Sequence, residues 1–362
     1  MLRKLLKITG LLLLLFLLYV GGVLLHGTLN DWQPEGETEV VSVWEAPESV
    51  VTDSVISLAI WNVGYTGLGE ESDFFYDSGG FFLSGGKMIR ADEDLVAKNR
   101  AGSRLFTKST DADLFLFQEV DLESRRSYHV NLMDTLRAER PDFTASYAAN
   151  YRVKRVPIPI LEPWRAYGKV ESGLVSLSRW QPKEESRIQL PGKFDWPTRI
   201  FQLDRCLLLS RIATAAGPDL VVINAHLSAY DKGGVLKKQQ MEFIQELILE
   251  EYEKGNYVIV GADWNQCPPY FQFDSFMPGQ SDGYSQTNIP DDFVPEGWQW
   301  VYDPVTPTNR KLRSPFDAEK SFQTIIDFFL ISPNLKALRV KTIDQQFRFS
   351  DHQPVWLEVE LQ

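Results

Sequence analysis

Eight short apolar runs, rich in β-branched and aromatic residues, recur at 55–61, 113–118, 173–178, 206–212, 220–225, 257–261, 324–331 and 355–361. Each has the length of a β-strand and is bounded by turn-forming residues. Helical patterns lie between some of them. In 237–255, Met241, Ile244, Leu247, Ile248 and Glu251 step at helical spacing and Gly255 supplies a stop. Residues 124–140 and 91–106 read as two further helices. Strands with helices interspersed too irregularly for strict βαβ repetition predict an α/β chain whose sheets pack together with helices outside.

Composition narrows the class. Over 362 residues, 44% hydrophobic and 12% aromatic content excludes an intrinsically disordered chain. With 37 basic and 49 acidic residues the net charge is −12, which argues against a general electrostatic nucleic-acid binder, although a local basic cleft is compatible with it. Two cysteines, Cys206 and Cys267, supply neither a disulfide framework nor a cysteine-rich zinc site.

At the N-terminus, Arg3, Lys4 and Lys7 precede an apolar stretch over residues 8–25, near the length that spans a bilayer as a helix. The basic flank predicts that this end stays in the cytoplasm and the remainder is translocated. A cleaved signal peptide is the rival reading, but its apolar region is usually shorter and ends at a small-x-small site that Val-Leu-Leu-His-Gly does not offer. The expected organisation is a basic end and transmembrane signal-anchor over 1–29, an acidic polar spacer over 30–53, and one extracytoplasmic domain over 54–362.

The polar residues at the ends of the apolar runs carry the chemistry. VISLAIW runs into Asn62, DLFLFQ into Glu119, DLVVINA into His226 and YVIVGA into Asp263. A lone strand-terminal Asp or Asn is commonly a turn former; four together point to a cleft lined by a rigid scaffold. Asp263 and Asn265 stand two apart, and on an extended backbone they share a face; the alternative is an Asx-turn leaving the strand. Asp351 and His352 directly precede the last run. His26 and His129 have no comparable setting.

These residues carry a resemblance. WNVGY, FQEVD, SGLVSLSRW, NAHLS, GADWN, IIDFFLIS and SDHQPV occur in the order found in the endonuclease/exonuclease/phosphatase superfamily, and residues 55–362 resemble its deoxyribonuclease I-like group. Two departures stand out: Ala262 separates the glycine from Asp263, and the stretch between Asn62 and Glu119 looks longer than in compact nucleases. The resemblance implies a four-layered α/β sandwich of two mainly antiparallel sheets with flanking helices, and divalent-metal-dependent phosphoester hydrolysis. Oxygen-rich ligands favour Mg²⁺ or Mn²⁺ over zinc. In this reading Glu119 holds the metal, with Asn62 and Asp351 completing its shell directly or through water. Asp263 is the general base and Asn265 positions the water and phosphate. His352, oriented by Asp327, contacts a phosphoryl oxygen, and His226 adds a second donor.

The expected substrate is a phosphoester of a lipid head group or small molecule. An extracytoplasmic DNA or RNA endonuclease is the alternative, and a non-catalytic binding module of the same fold is the second. The membrane enters as a partner through the N-terminal helix, and no obligate protein partner is implied. Arg152, Lys154, Arg155, Arg199 and Arg310 are candidate phosphate binders, and the aromatic stretches at 73–76, 80–83 and 269–271 are candidates for lipid contact or loop packing.

Overall fold

The computed structural model describes all residues except 41, 230, 232 and 273–286. The chain begins with helix α1 (Leu2–Leu29), then strands β1 (Glu37–Glu39), β2 (Val50–Val51) and β3 (Val55–Asn62). Helix α2 (Glu93–Ser109), β4 (Leu114–Asp121), α3 (Leu132–Arg137), β5 (Thr144–Val156), β6 (Gly168–Ser178) and β7 (Glu184–Gln189) follow. Next come β8 (Cys206–Thr214), β9 (Leu220–His226), α4 (Val235–Glu253), β10 (Tyr257–Asp263), β11 (Gln299–Val301) and β12 (Asn309–Arg310). The chain closes with β13 (Gln323–Thr324), β14 (Asp327–Ile331), β15 (Leu335–Thr342) and β16 (Val355–Leu361).

Two sheets form the core. One is six-stranded, ordered β15-β16-β3-β4-β6-β5; the other runs β1-β7-β8-β9-β10-β14-β11, with β2 paired to β8. Most neighbours are antiparallel, with parallel pairs at β3–β4, β9–β10 and β2–β8. The central strands are apolar throughout because both faces are buried. Leu58, Ile60, Leu114 and Leu116 meet Val222, Ile259 and Phe329 between the sheets. Their neighbours Trp61, Phe115 and Phe117 turn outward to Phe106 of α2 and Leu136 of α3. On the far side, Val258 and Val260 pack under Ile244 and Ile248 of α4. Helix, sheet, sheet, helix: the four-layered α/β sandwich is the observed fold.

The sheets approach closely at Gly261 on β10. A Cβ there would lie 2.6 Å from Ile60 Cγ2, 2.7 Å from Leu116 Cδ1 and 3.0 Å from Phe329 Cε1, all on fully buried side chains. Gly261→Ala should destabilise the domain by about 1–3 kcal/mol through overpacking. Thermal unfolding of the detergent-solubilised chain checks this as a lowered Tm.

One sequence expectation is corrected, and the structure adds elements that the apolar runs do not reveal. The helix read over 124–140 is broken: a short turn at Arg125–Ser127 ends in left-handed Tyr128 and His129 (φ 57° and 58°), and only Leu132–Arg137 is α-helical. Tyr128 Oη donates to Ala91 O from this turn, and Arg126 is drawn inward to Asp121. Strands β5, β7 and β15 were not apparent as apolar runs. In β7 the buried positions include Glu185 and Arg187, which find polar partners, and β15 is a sheet-edge strand with largely exposed side chains. Several described residues between 30 and 53 also bond to the domain. Strand β1 pairs with β7, Val43 N donates to Ala145 O, and Glu48 pairs with Arg179.

Helix α1 is long and apolar enough to cross a membrane, and its apolar window has no burial against the domain; a signal sequence shares those properties. Its end is seated on the domain. Gly27 lies against Ile200 and Phe201, and Trp196 Nε1 donates to Thr28 Oγ1 at 3.1 Å.

Candidate active site

The ends of β3, β4, β9, β10 and β14 and the loop before β16 converge on one cleft of about 820 Å³. The register explains the convergence. Asp263 stands opposite His226 on one side and Asp327 on the other, so three adjacent strands end level with one another.

Asp263, 1% exposed, is the hub. Its Oδ2 accepts from Asn62 Nδ2 at 3.0 Å and lies 3.3 Å from His226 Nε2 and 3.8 Å from His352 Nε2. Burial, and then the charge of Asp327, push its carboxyl up to about 6. Asn265 N donates to Asp263 Oδ1 at 3.0 Å with Asn265 at φ 50°, so the chain leaves β10 through an Asx-turn, and the shared extended face does not form. Asn265 still lines the cleft, its side chain anchored on Leu227 O.

His352 Nδ1 lies 3.0 and 2.9 Å from the two carboxylate oxygens of Asp327, and its Nε2 is 3.0 Å from Asn309 Nδ2. Burial disfavours a charged ring, but the carboxylates of Asp327, Asp263 and Asp351 outweigh it and hold the imidazolium well above its ordinary range. His226 is the opposite case. Burial, then the charges of Arg205 and His352, press it well below the ordinary value, so two histidines in one cleft carry different charges. The loop carrying Asp351 and His352 is fastened to β3: Ser350 Oγ donates to Asn62 O at 2.8 Å and Trp61 Nε1 to His352 O at 3.0 Å.

Glu119 owes its direction to a bulge. The β4–β6 register shifts between Phe117 and Val120, and Glu119 is left-handed at φ 55°. Such strain in a non-glycine residue is retained where the surroundings over-determine it. Asn224, on β9 of the opposite sheet, donates to the carbonyls of Phe117 and Val175 beside the bulge and accepts from Gln118 Nε2.

A hard divalent cation fits this donor set. Burial, opposed by the His352 charge and helped by that of Glu119, lifts the Asp351 carboxyl to about 7, and a cation held with Glu119 would stabilise its charged form. Asp263, Asp327 and His352 also lie within ligand distance of one another, but Asp327 is already hydrogen-bonded to His352 through both oxygens. Asn62 turns its amide oxygen to Gly64 N (3.0 Å) and its nitrogen to Asp263 and Glu119 (3.0 and 3.4 Å). It therefore bridges two carboxylates.

Sequence reasoning missed Asn309, Arg205 and Lys237, which stand in no distinctive motif, and Gln118 and Asn224, which lie within FQEVD and NAHLS beside the residues singled out there. Arg205 is buried in the cleft wall, its pKa lowered by burial, with Glu119 and Asp263 as the nearby anions. Among the basic candidates, Arg310 lines the cleft, but its Nη2 donates to Gly69 O at 2.6 Å, tying two loops together. Arg152, Lys154, Arg155 and Arg199 lie outside the cleft; Arg152 pairs with Glu171 and Arg199 with Asp31.

This arrangement of carboxylates and histidines at the strand ends of a four-layered sandwich agrees with the comparisons. Residues 86–352 match the Endonuclease/Exonuclease/phosphatase family, and the chain belongs to it. That family includes metal-dependent phosphoester hydrolases. Among solved structures, the fold is similar to D. rerio TDP2 bound to a single-strand DNA product, with TM-score 0.52, 14% identity, and 85% of this chain and 100% of that one covered. It is also similar to an endonuclease/exonuclease/phosphatase from Beutenbergia cavernae (TM-score 0.50, 15% identity, 85% and 72% covered) and a family protein from Bacteroides thetaiotaomicron (0.50, 16%, 85% and 98%). No curated protein matches the chain in sequence.

Proposed function

We propose that this protein is a divalent-metal-dependent phosphoester hydrolase in which Asp263 activates water. The observation that carries the reading is the placement of one fully buried carboxylate, Asp263, within 3.3 Å of His226 and 3.8 Å of His352 at the floor of a cleft. Glu119 and Asp351 would hold Mg²⁺ or Mn²⁺, which when bound supplies a Lewis acid and neutralises charge on the phosphoryl oxygens. Asp263 accepts the proton of the attacking water, while Asn62 fixes the carboxylate that receives it. Asn265 borders the same space and steadies water and phosphate. His352, kept cationic by Asp327, donates to a phosphoryl oxygen as charge builds there, and neutral His226 is a second donor.

Residues 1–29 serve in this reading as an uncleaved anchor, with the domain on the extracytoplasmic side. For the substrate, the cleft continues from the carboxylates to a wall of Tyr65, Phe74, Tyr151, Tyr167 and Phe201, which suits a phosphoester with an apolar or aromatic leaving group. A lipid head group or small phosphoester fits this and the −12 charge better than a long polyanion.

The test is a panel on the full chain in detergent: duplex DNA, single-stranded DNA, RNA, sphingomyelin, phosphoinositides and a chromogenic phosphodiester. Hydrolysis of a lipid or small ester, abolished by EDTA and restored by Mg²⁺ or Mn²⁺, is expected. Cleavage confined to nucleic acid would reassign the substrate, and chelator-resistant turnover would refute the metal site.

A further inference from the structure

Two loops beside the cleft form a projection that the catalytic reading does not use. Phe81, Phe82 and Leu83 on one, and Leu161 and Trp164 on the other, are all exposed, Phe82 at 58% and Trp164 at 71%. Contiguous exposed apolar groups of this size mark a surface that meets something. The loops are joined as a small unit: Ile160 N donates to Phe81 O at 3.2 Å and Leu161 N to Phe82 O at 3.0 Å. Beneath them Glu162 accepts from Ser84 N and Ser84 Oγ, and Arg165 donates to both Ser84 Oγ and Glu162. Ser84, Glu162 and Arg165 are thus bonded to one another, and the apolar side chains of both loops are left exposed.

We propose that this projection is a second membrane contact, a wedge of Phe81, Phe82, Leu83, Leu161 and Trp164 that enters the bilayer interface; the proposal rests on the reading of α1 as an anchor. Three observations select a lipid surface as the occupant. First, the projection lies on the lobe that receives α1: Phe201, which touches the end of α1, packs on the same apolar cluster as Phe74 and Ile158, the roots of the two loops. Second, Trp196, 51% exposed and bonded to Thr28, adds an amphipathic ring at the level where the helix ends. Third, Lys154 and Arg155 stand exposed at the adjoining end of β5, next to Arg152, which pairs with Glu171, and Arg155 donates to Pro163 O beside Trp164. Cations flanking an aromatic edge are what anionic head groups bind. Two fixed contacts, helix and wedge, would set how the domain sits on the membrane, with the aromatic end of the cleft toward the lipid.

The full chain suits a direct test because both native thiols are buried and a single introduced cysteine can be labelled. Leu83→Cys, Trp164→Cys and, as a control on the exposed side of α4, Lys238→Cys would carry an environment-sensitive fluorophore. The chain would be reconstituted in 3:1 phosphatidylcholine:phosphatidylglycerol vesicles and floated on a density gradient. The labels at 83 and 164 should be quenched by 5-doxyl lipid at least threefold more than the label at 238, and should be shielded from iodide. Phe82→Ser with Leu83→Ser should leave flotation intact and return the label at 164 to the aqueous quencher. A chain that floats while its label at 83 stays open to iodide and insensitive to doxyl lipid refutes the wedge and leaves the anchor standing. A chain that fails to float refutes the anchor, and the wedge with it. Labels shielded from both quenchers would mean that protein, not lipid, covers the projection, which also overturns the proposal.

Discussion

Asp263→Asn should lower kcat about 10³–10⁴-fold, within the range that a positioned general base contributes, while leaving the chain folded. The amide keeps one acceptor oxygen, which can take the Oδ1 place and accept from Asn265 N, while its nitrogen replaces the Oδ2 that accepts from Asn62. It also removes a buried carboxylate whose charged form is disfavoured by burial and by Asp327. What the variant lacks is a site for the proton of the attacking water. Turnover assays on the substrate identified by the panel, with unfolding curves on the same preparation, check both halves. Substantial residual turnover with intact structure would assign the base elsewhere.

His352→Ala should cost about 10²–10³-fold in kcat, the scale of losing a preorganised donor to a developing anion. Asp327→Asn should cost less, roughly tenfold, because Asp327 acts through the ring that it orients. The two roles separate in the double variant. If Asp327 works only by holding His352 cationic and aimed, Asp327→Asn added to His352→Ala should cause little further loss. NMR titration of the His352 ring gives a readout independent of turnover. Its pKa is held high chiefly by Asp327, so Asp327→Asn should bring it down toward the ordinary value. A multiplicative double variant, or an unmoved ring, would refute the pairing.

The sequence made legible those features in which one residue's identity and its position on a strand suffice. Asn62, His226 and Asp263 each end a strand, and strand length alone delivers them to one edge of the sandwich, whereas Glu119 follows its apolar run but is aimed by the bulge inside β4. The pairing of Asp327 with His352 was reachable because an acid within TIIDFF requires a partner if buried. What escaped depends on contacts far apart in the chain. Asn309 meets His352 only through a short strand pair and an isolated bridge. Asn224 and Gln118 sit within apolar runs and meet across the two sheets. The bulge that turns Glu119 has no glycine to announce it. Arg205 and Arg310 show why basic residues resisted assignment: whether such a side chain faces substrate or braces a loop is set by which carbonyls lie nearby.

The pairing of β1 along β7 also bears on how the protein should be handled. Strand β1 is three residues long and carries Glu37 and Glu39, both exposed, so it ends its sheet in a brief, negatively charged border. A truncation at the apparent start of the domain, near Val51, would strip that border and uncover the hydrogen-bonding groups of Ser186–Ile188 that it now occupies. The bared flank is a template on which neighbouring molecules can stack. Soluble versions cut just before Glu37 should stay monodisperse at concentrations where shorter ones precipitate, and the difference would reflect lost edge protection, not a misfolded catalytic core.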